Sequence, residues 1–160
     1  MKNKINGFIL AAGLGTRLKP WTDLHPKALA MVNGKSLLQR NVEYLQKFGI
    51  SEVVVNVHHF ADQIVEAIET NNGWGSKIII SDETDIVLET GGGLLKAKNL
   101  LVECENFVLM NCDILTNLDL NLILNQHQEN QAIATLAVAN REPNRYLLFN
   151  SNQELVGWKN

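Results

Sequence analysis

The chain has 160 residues, 46% of them apolar and 19% charged, a composition that fits one domain with a packed core and excludes a disordered chain. Its 14 Lys and Arg against 17 Asp and Glu leave a formal charge of −3, which argues against a nucleic-acid partner. Cys104 and Cys112 form no CxxC pair and no disulfide framework and imply reduced thiols in the cytoplasm, and no apolar run is long enough to span a membrane, so no membrane partner is expected.

Ile5–Ala12 is apolar almost throughout, the pattern of a strand covered on both faces. The basic start before it mimics a leader peptide, but the run is short and glycine follows at once. A loop over 13–33 comes next, where Pro20 and Pro26 block a continuous helix. Ser36–Phe48 has helical spacing, a serine start and Gly49 as its stop. Glu52–His58 predicts a valine-rich second strand, Ala61–Thr70 a helix and Lys77–Ser81 a third strand. Gly92–Leu101 predicts a short helix with a glycine-rich entry, and Asn106–Met110 a buried fourth strand. Leu118–Gln128 predicts a helix, Ala132–Ala139 a fifth strand, and Arg145–Trp158 two short strands joined at Asn150-Ser151-Asn152. Alternating strands and helices imply an α/β fold: a three-layer α/β/α, Rossmann-like, mostly parallel sheet with right-handed crossovers. No linker, repeat or low-complexity tract marks a boundary, so residues 1–160 read as one domain.

Active groups in such sheets gather beyond the carboxyl ends of the strands. Three segments fall there: 13–27, 90–93 and 111–113. In the first, Gly13 and Gly15 let backbone N–H groups turn toward an anion. Ala11 and Ala12 leave room for a flat base or a ribose. Arg17 offers a planar set of donors for phosphate oxygens, and Lys27 a point charge after the rigid Pro26. From Ala12 to Lys35 the cations Arg17, Lys19, Lys27 and Lys35 face one acid, Asp23, a positive stretch inside an acidic chain. Position 18 is leucine, so the dinucleotide fingerprint fails, and the Walker spacing is wrong. Asp113, directly after the fourth strand and facing this loop, is a candidate Mg²⁺ ligand. Among Thr90, Gly91, Gly92 and Gly93, three consecutive glycines point to close approach of another group. The acidic residues Asp82, Glu83, Asp85 and Glu89 read as a solvated stretch. Adjacent His58 and His59 serve one metal ion poorly, which favours capping or packing. Trp21 suits either shielding of the site or core packing, and His25 has no evident partner.

Leu10-Ala11-Ala12-Gly13-Leu14-Gly15-Thr16-Arg17, then Pro20 and Pro26-Lys27, resemble the signature of the sugar-1-phosphate nucleotidyltransferases, the nucleotide-diphospho-sugar transferase type of fold. Leu88-Glu89-Thr90-Gly91-Gly92-Gly93 and the stretch from Leu147 to Trp158 look most like the N-acetylmuramate-1-phosphate uridylyltransferase branch. The resemblance implies that Leu10, Ala11, Ala12 and Gly13 border base and ribose. It implies that Leu14, Gly15, Thr16 and Arg17 hold the triphosphate, and that Lys27 contacts the reacting phosphate. Glu89, Thr90, Gly91 and Gly92 would lie near the base, and Asn111 near the nucleotide. Arg17, Lys27 and Asp113 would be the catalytic residues, with Asp113 binding Mg²⁺. Glycine often precedes this Asp in the family; here Cys112 does, and as a nucleophile it has no role in a direct transfer. The partners implied are an NTP, UTP favoured, and a sugar-1-phosphate. The family uses a second metal-binding Asp on a late strand, yet no aspartate follows Asp119. The chain therefore looks like the N-terminal, nucleotide-binding portion of a longer enzyme, with weak or absent turnover by itself. A non-catalytic nucleotide-binding module, or an enzyme with molybdopterin or an alditol phosphate as acceptor, stays open, as does the oligomeric state.

Overall fold

A computed structural model describes residues 4–86, 88–139 and 146–159. Chain contacts divide it into two compact units, Met1–Leu118 and Asp119–Asn160. In the first, strand β1 (Ile5–Leu10) leads into a long loop of three 3₁₀ turns and a small antiparallel ladder, β2 (Met31–Val32) with β3 (Lys35–Ser36). Helix α1 (Leu37–Gln46) starts at Ser36, whose hydroxyl accepts from the Gln39 N–H at 3.1 Å. Strand β4 (Glu52–Val57), helix α2 (Ala61–Thr70), strand β5 (Lys77–Asp82), helix α3 (Glu89–Lys96) and strand β6 (Asn106–Asn111) follow.

The four long strands form one parallel sheet in the order β5-β4-β1-β6. The first crossovers step outward from β1 to β4 to β5, and the next returns across β1 to β6. Right-handed connections then place α1 and α3 on opposite faces. The side chains agree. A Cβ on Gly7 would stand 2.7 Å from Leu45 of α1. Its neighbour Phe8 points the other way, packing with Val54, Ala97 and Leu101. Phe8, Ile9, Val53, Val54, Val55, Leu38, Leu45 and Ile64 are fully buried. The expected three-layer α/β/α, mostly parallel sheet is thus the observed fold. No helix among the described residues is long and apolar enough to cross a membrane.

The second unit holds α4 (Leu120–Glu129), capped by Asp119, and an antiparallel hairpin of β7 (Tyr146–Phe149) with β8 (Leu155–Lys159). The hairpin turns at Asn150 as expected, its Oδ1 accepting from the Asn152 and Glu154 N–H groups. Arg145 lies outside the described residues. Three expectations change. Ala132–Ala139 is not a strand: alternation suits one, but a strand exists only as half of a ladder, and no described strand pairs with it. The helix expected from Gly92 begins at Glu89, so Gly91 also lies inside it, and it ends in a 3₁₀ turn over Ala97–Leu100. Strand β6 is alternately exposed rather than buried, leaving Phe107 and Leu109 partly open.

Candidate active site

The loops at the carboxyl ends of β1, β4, β5 and β6 enclose a cleft of about 420 Å³. Leu10, Ala12, Gly13, Leu14, Thr16, Arg17, Lys27, Thr90, Asn111 and Asp113 line it. Three segments far apart in sequence are thus brought together at one end of the sheet. Ala11, Gly15, Gly91 and Gly92 do not line the cleft. Ala11 is buried behind it, and its N–H is turned to Asn56.

The first loop is held from within. Gly15 takes φ +64°, and its carbonyl accepts from the Leu18 N–H at 2.9 Å and the Thr22 hydroxyl at 3.0 Å. A Cβ at Gly15 would stand 2.9 Å from the Cβ of Lys27, so the glycine lets the two ends of the loop close on each other. Pro26 is extended, and Lys27 opens a 3₁₀ turn that aims its side chain at β6.

There Lys27 Nζ forms an ion pair with Asp113 Oδ2. The hydrogen bond from Lys27 holds the Asp113 carboxyl below the usual carboxylate range against the opposing effect of burial, and the charges of Lys27 and Arg17 add to it. Guanidinium and carboxylate line the same cleft. The turn carrying Asp113 is anchored on both sides: the Cys112 N–H donates to Leu10 O at 3.0 Å, and the buried Asn41 of α1 donates to Cys112 O at 2.6 Å. Cys112 is 5% exposed, and burial together with the neighbouring Asp113 pushes its thiol up to about 11. A thiol held protonated at neutral pH is no nucleophile.

Asn56 and Glu83 also line the cleft, and the sequence did not single them out as site residues. Glu83 is a correction: it is 1% exposed rather than solvated, while Asp82, Asp85 and Glu89 are exposed as expected. The composition of the stretch hides the one acid that turns inward. The signal available was position, just beyond a strand in an α/β sheet. His58 Nδ1 meets Glu83 O at 2.6 Å and His59 stacks on Phe60 at 4.0 Å, so the two histidines part as their adjacency implied. Trp21 stacks on His25 at 4.9 Å, giving His25 a partner. Among the described residues no group of three or more His, Cys, Asp and Glu is placed to hold a metal, and Asp113 lines the cleft paired with Lys27.

The family described as Nucleotidyl transferase matches residues 6–154. The chain belongs to the nucleotidyl transferase family. Among its relatives, the N-acetylmuramate alpha-1-phosphate uridylyltransferase of Caulobacter vibrioides is 44% identical over 103 residues, 63% of this chain and 43% of that protein. The UTP–glucose-1-phosphate uridylyltransferase of Synechocystis sp. is 33% identical over 141 residues, 82% of this chain and 36% of that protein. The crystal structure of HddC from Yersinia pseudotuberculosis complexed with GMP-PN superposes with a TM-score of 0.68 at 31% identity, covering 76% of this chain and 53% of that one. The likeness to the N-acetylmuramate-1-phosphate uridylyltransferases, read from residues 88–93 and 147–158, is borne out by the first of these relatives. This nucleotidyl transferase chain spans less than half the length of these curated relatives.

Proposed function

We propose that this chain supplies the nucleotide-binding half of a sugar-1-phosphate nucleotidyltransferase, with UTP as the favoured nucleotide. The observation that carries the reading is the convergence of Arg17, Lys27 and Asp113 on one cleft roofed by a glycine loop. In the reaction, a phosphate oxygen of the sugar-1-phosphate forms a bond to the α-phosphorus of the NTP. The bond from that phosphorus to the oxygen bridging to the β-phosphate breaks, and pyrophosphate leaves with the electron pair. Charge accumulates on the α-phosphoryl oxygens and on the leaving group. Arg17 binds phosphate oxygens through its planar donors, and Lys27 presents its ammonium to the reacting phosphate. Placed donors of this kind are each worth about 3–4 kcal/mol when charge develops against them. Leu10, Ala12 and Gly13 border base and ribose, and Thr90 and Asn111 close the base side.

The donor chemistry fits Mg²⁺. Asp113, 32% exposed in its side chain, would hold the ion through a carboxylate oxygen, and the other ligands would have to come from phosphate oxygens and water. When bound, the ion supplies positive charge beside the polyphosphate. In this reading Lys27 and Asp113, an ion pair here, take complementary tasks: Lys27 would turn to the arriving phosphate, and Asp113 would be left to hold the cation.

Calorimetry with UTP, GTP and CTP, beside a pyrophosphate-release assay with sugar-1-phosphates, tests the reading. UTP uptake stronger than that of the other nucleotides is expected, with slow or no release by these 160 residues, among which no aspartate follows Asp119. No uptake of any triphosphate overturns the reading. Uptake with no release at all fits equally a nucleotide-binding half that needs the rest of a longer enzyme and the second reading, a nucleotide-binding module without turnover.

A further inference from the structure

We propose that Asn56 is a positioning residue for the nucleotide loop, oriented by the buried acid Glu83; its role in binding rests on the nucleotide reading above. Asn56 lies near the end of β4 and is 2% exposed. Its Oδ1 accepts from the Ala11 N–H at 2.6 Å and the Ala12 N–H at 3.2 Å. These two amides follow the last residue of β1, where the chain leaves the sheet for the loop carrying Arg17. One side chain of the neighbouring strand β4 holds both.

A carboxamide has an acceptor end and a donor end, and only the acceptor end satisfies two backbone donors. Glu83 fixes which end faces the loop. Its Oε1 accepts from Asn56 Nδ2 at 2.9 Å, so a flipped Asn56 would set oxygen against oxygen on one side and NH₂ against two N–H groups on the other. Glu83 is itself pinned by its backbone, donating its N–H to Val57 O at 2.7 Å and offering its carbonyl to His58. Gly93 makes the space: a Cβ there would stand 2.7 Å from Glu83 Oε1 and 3.0 Å from Asn56 Nδ2. The close approach expected of the glycine run is therefore, at Gly93, the approach of this acid. Burying an acid is costly unless it is hydrogen-bonded. Here its bond orders the exit of β1 before any ligand arrives, which lowers the ordering cost of binding.

The test uses the 160-residue chain, with two readouts: hydrogen exchange at the Ala11 and Ala12 amides, and UTP affinity. Glu83→Gln keeps an acceptor for Asn56 Nδ2, so protection should persist and affinity should stay within about threefold of the unaltered chain. Asn56→Asp sets a second carboxylate against Glu83; exchange at Ala11 and Ala12 should accelerate and affinity fall about tenfold. Combining Asn56→Asp with Glu83→Gln restores a donor opposite the new carboxylate, and both readouts should recover. A merely structural role would tie affinity to melting temperature and give no such recovery. If Asn56→Asp fails to fold, Glu83→Ala, which frees Asn56 to rotate, replaces it with the same expectation. Unchanged exchange in the disruptive variants, or a double variant no better than Asn56→Asp, overturns the proposal. Lost protection with unchanged affinity overturns the role in binding. Absence of UTP uptake by the unaltered chain counts against the nucleotide reading, and the exchange pattern alone then decides for or against the clamp.

Discussion

Lys27 and Asp113 pair in the cleft, and substitutions at Arg17 and at Asp113 should act in opposite directions on nucleotide binding. Arg17 stands outside the pair on the exposed loop. Arg17→Ala should weaken triphosphate binding by about 2 kcal/mol, the scale of one charge-assisted hydrogen bond. Binding of uridine without phosphates should hardly change, and the melting temperature should stay put. Asp113→Asn leaves Lys27 without its anionic partner, so metal-free UTP should bind more tightly while the gain on adding Mg²⁺ shrinks. Calorimetry with and without EDTA reads both; tighter Mg²⁺ dependence in Asp113→Asn would contradict the role given to this carboxylate.

The loop over 13–29 functions as an element although it is neither helix nor strand. Its shape depends on Gly15 at φ +64° with Lys27 packed against it. Gly15→Ala meets two obstacles, a left-handed backbone and a 2.9 Å contact with the Cβ of Lys27. We expect about 1–3 kcal/mol of lost stability, and a loss of UTP affinity beyond what the stability change explains. Denaturant unfolding and calorimetry on the same variant separate the two. Helix α3 shows how an element can be misjudged. Three consecutive glycines argue for a loop by propensity, yet Gly91 and Gly92 sit within the helix, and Gly93 is tolerated there because a larger residue would collide with Glu83. Packing decided against propensity, and only the packing shows why.

At the scale of the whole molecule, several acids titrate below their ordinary range. Asp113 does so through Lys27. Glu52 and Glu43 do so because hydrogen bonds from Lys4 and Lys77, and from Lys35 and Gln39, outweigh the opposing effect of burial. Asp82 does so through its bonds from Thr84. A carboxyl whose value is depressed by folding adds stability above its unfolded value, and that stability is lost as pH falls through the folded one. The melting temperature should therefore be level near neutrality and drop once pH passes below about 4, the ordinary range of these acids. Added salt should blunt the drop, since most of these pairs are exposed. A thermal melt series from pH 7 to 3 at two ionic strengths measures it; a curve flat down to pH 3 would contradict the assignment.

The order of the long strands and the α-helices through residue 129, the nucleotide loop and the acid after the fourth long strand were legible in the sequence because each is a local pattern. Apolar runs, proline and glycine punctuation, and a cation surplus in one loop act over a few residues. The fate of Ala132–Ala139, the inward turn of Glu83 and the clamp on Ala11 and Ala12 were not legible. Each depends on a partner far along the chain: a strand needs a ladder, a buried acid needs a donor, and Asn56 is 45 residues from Ala11. The sequence by itself determined which chemical groups this protein carries and the elements that bear them. Tertiary structure decided which of them meet, because burial and hydrogen bonding are settled by neighbours in space.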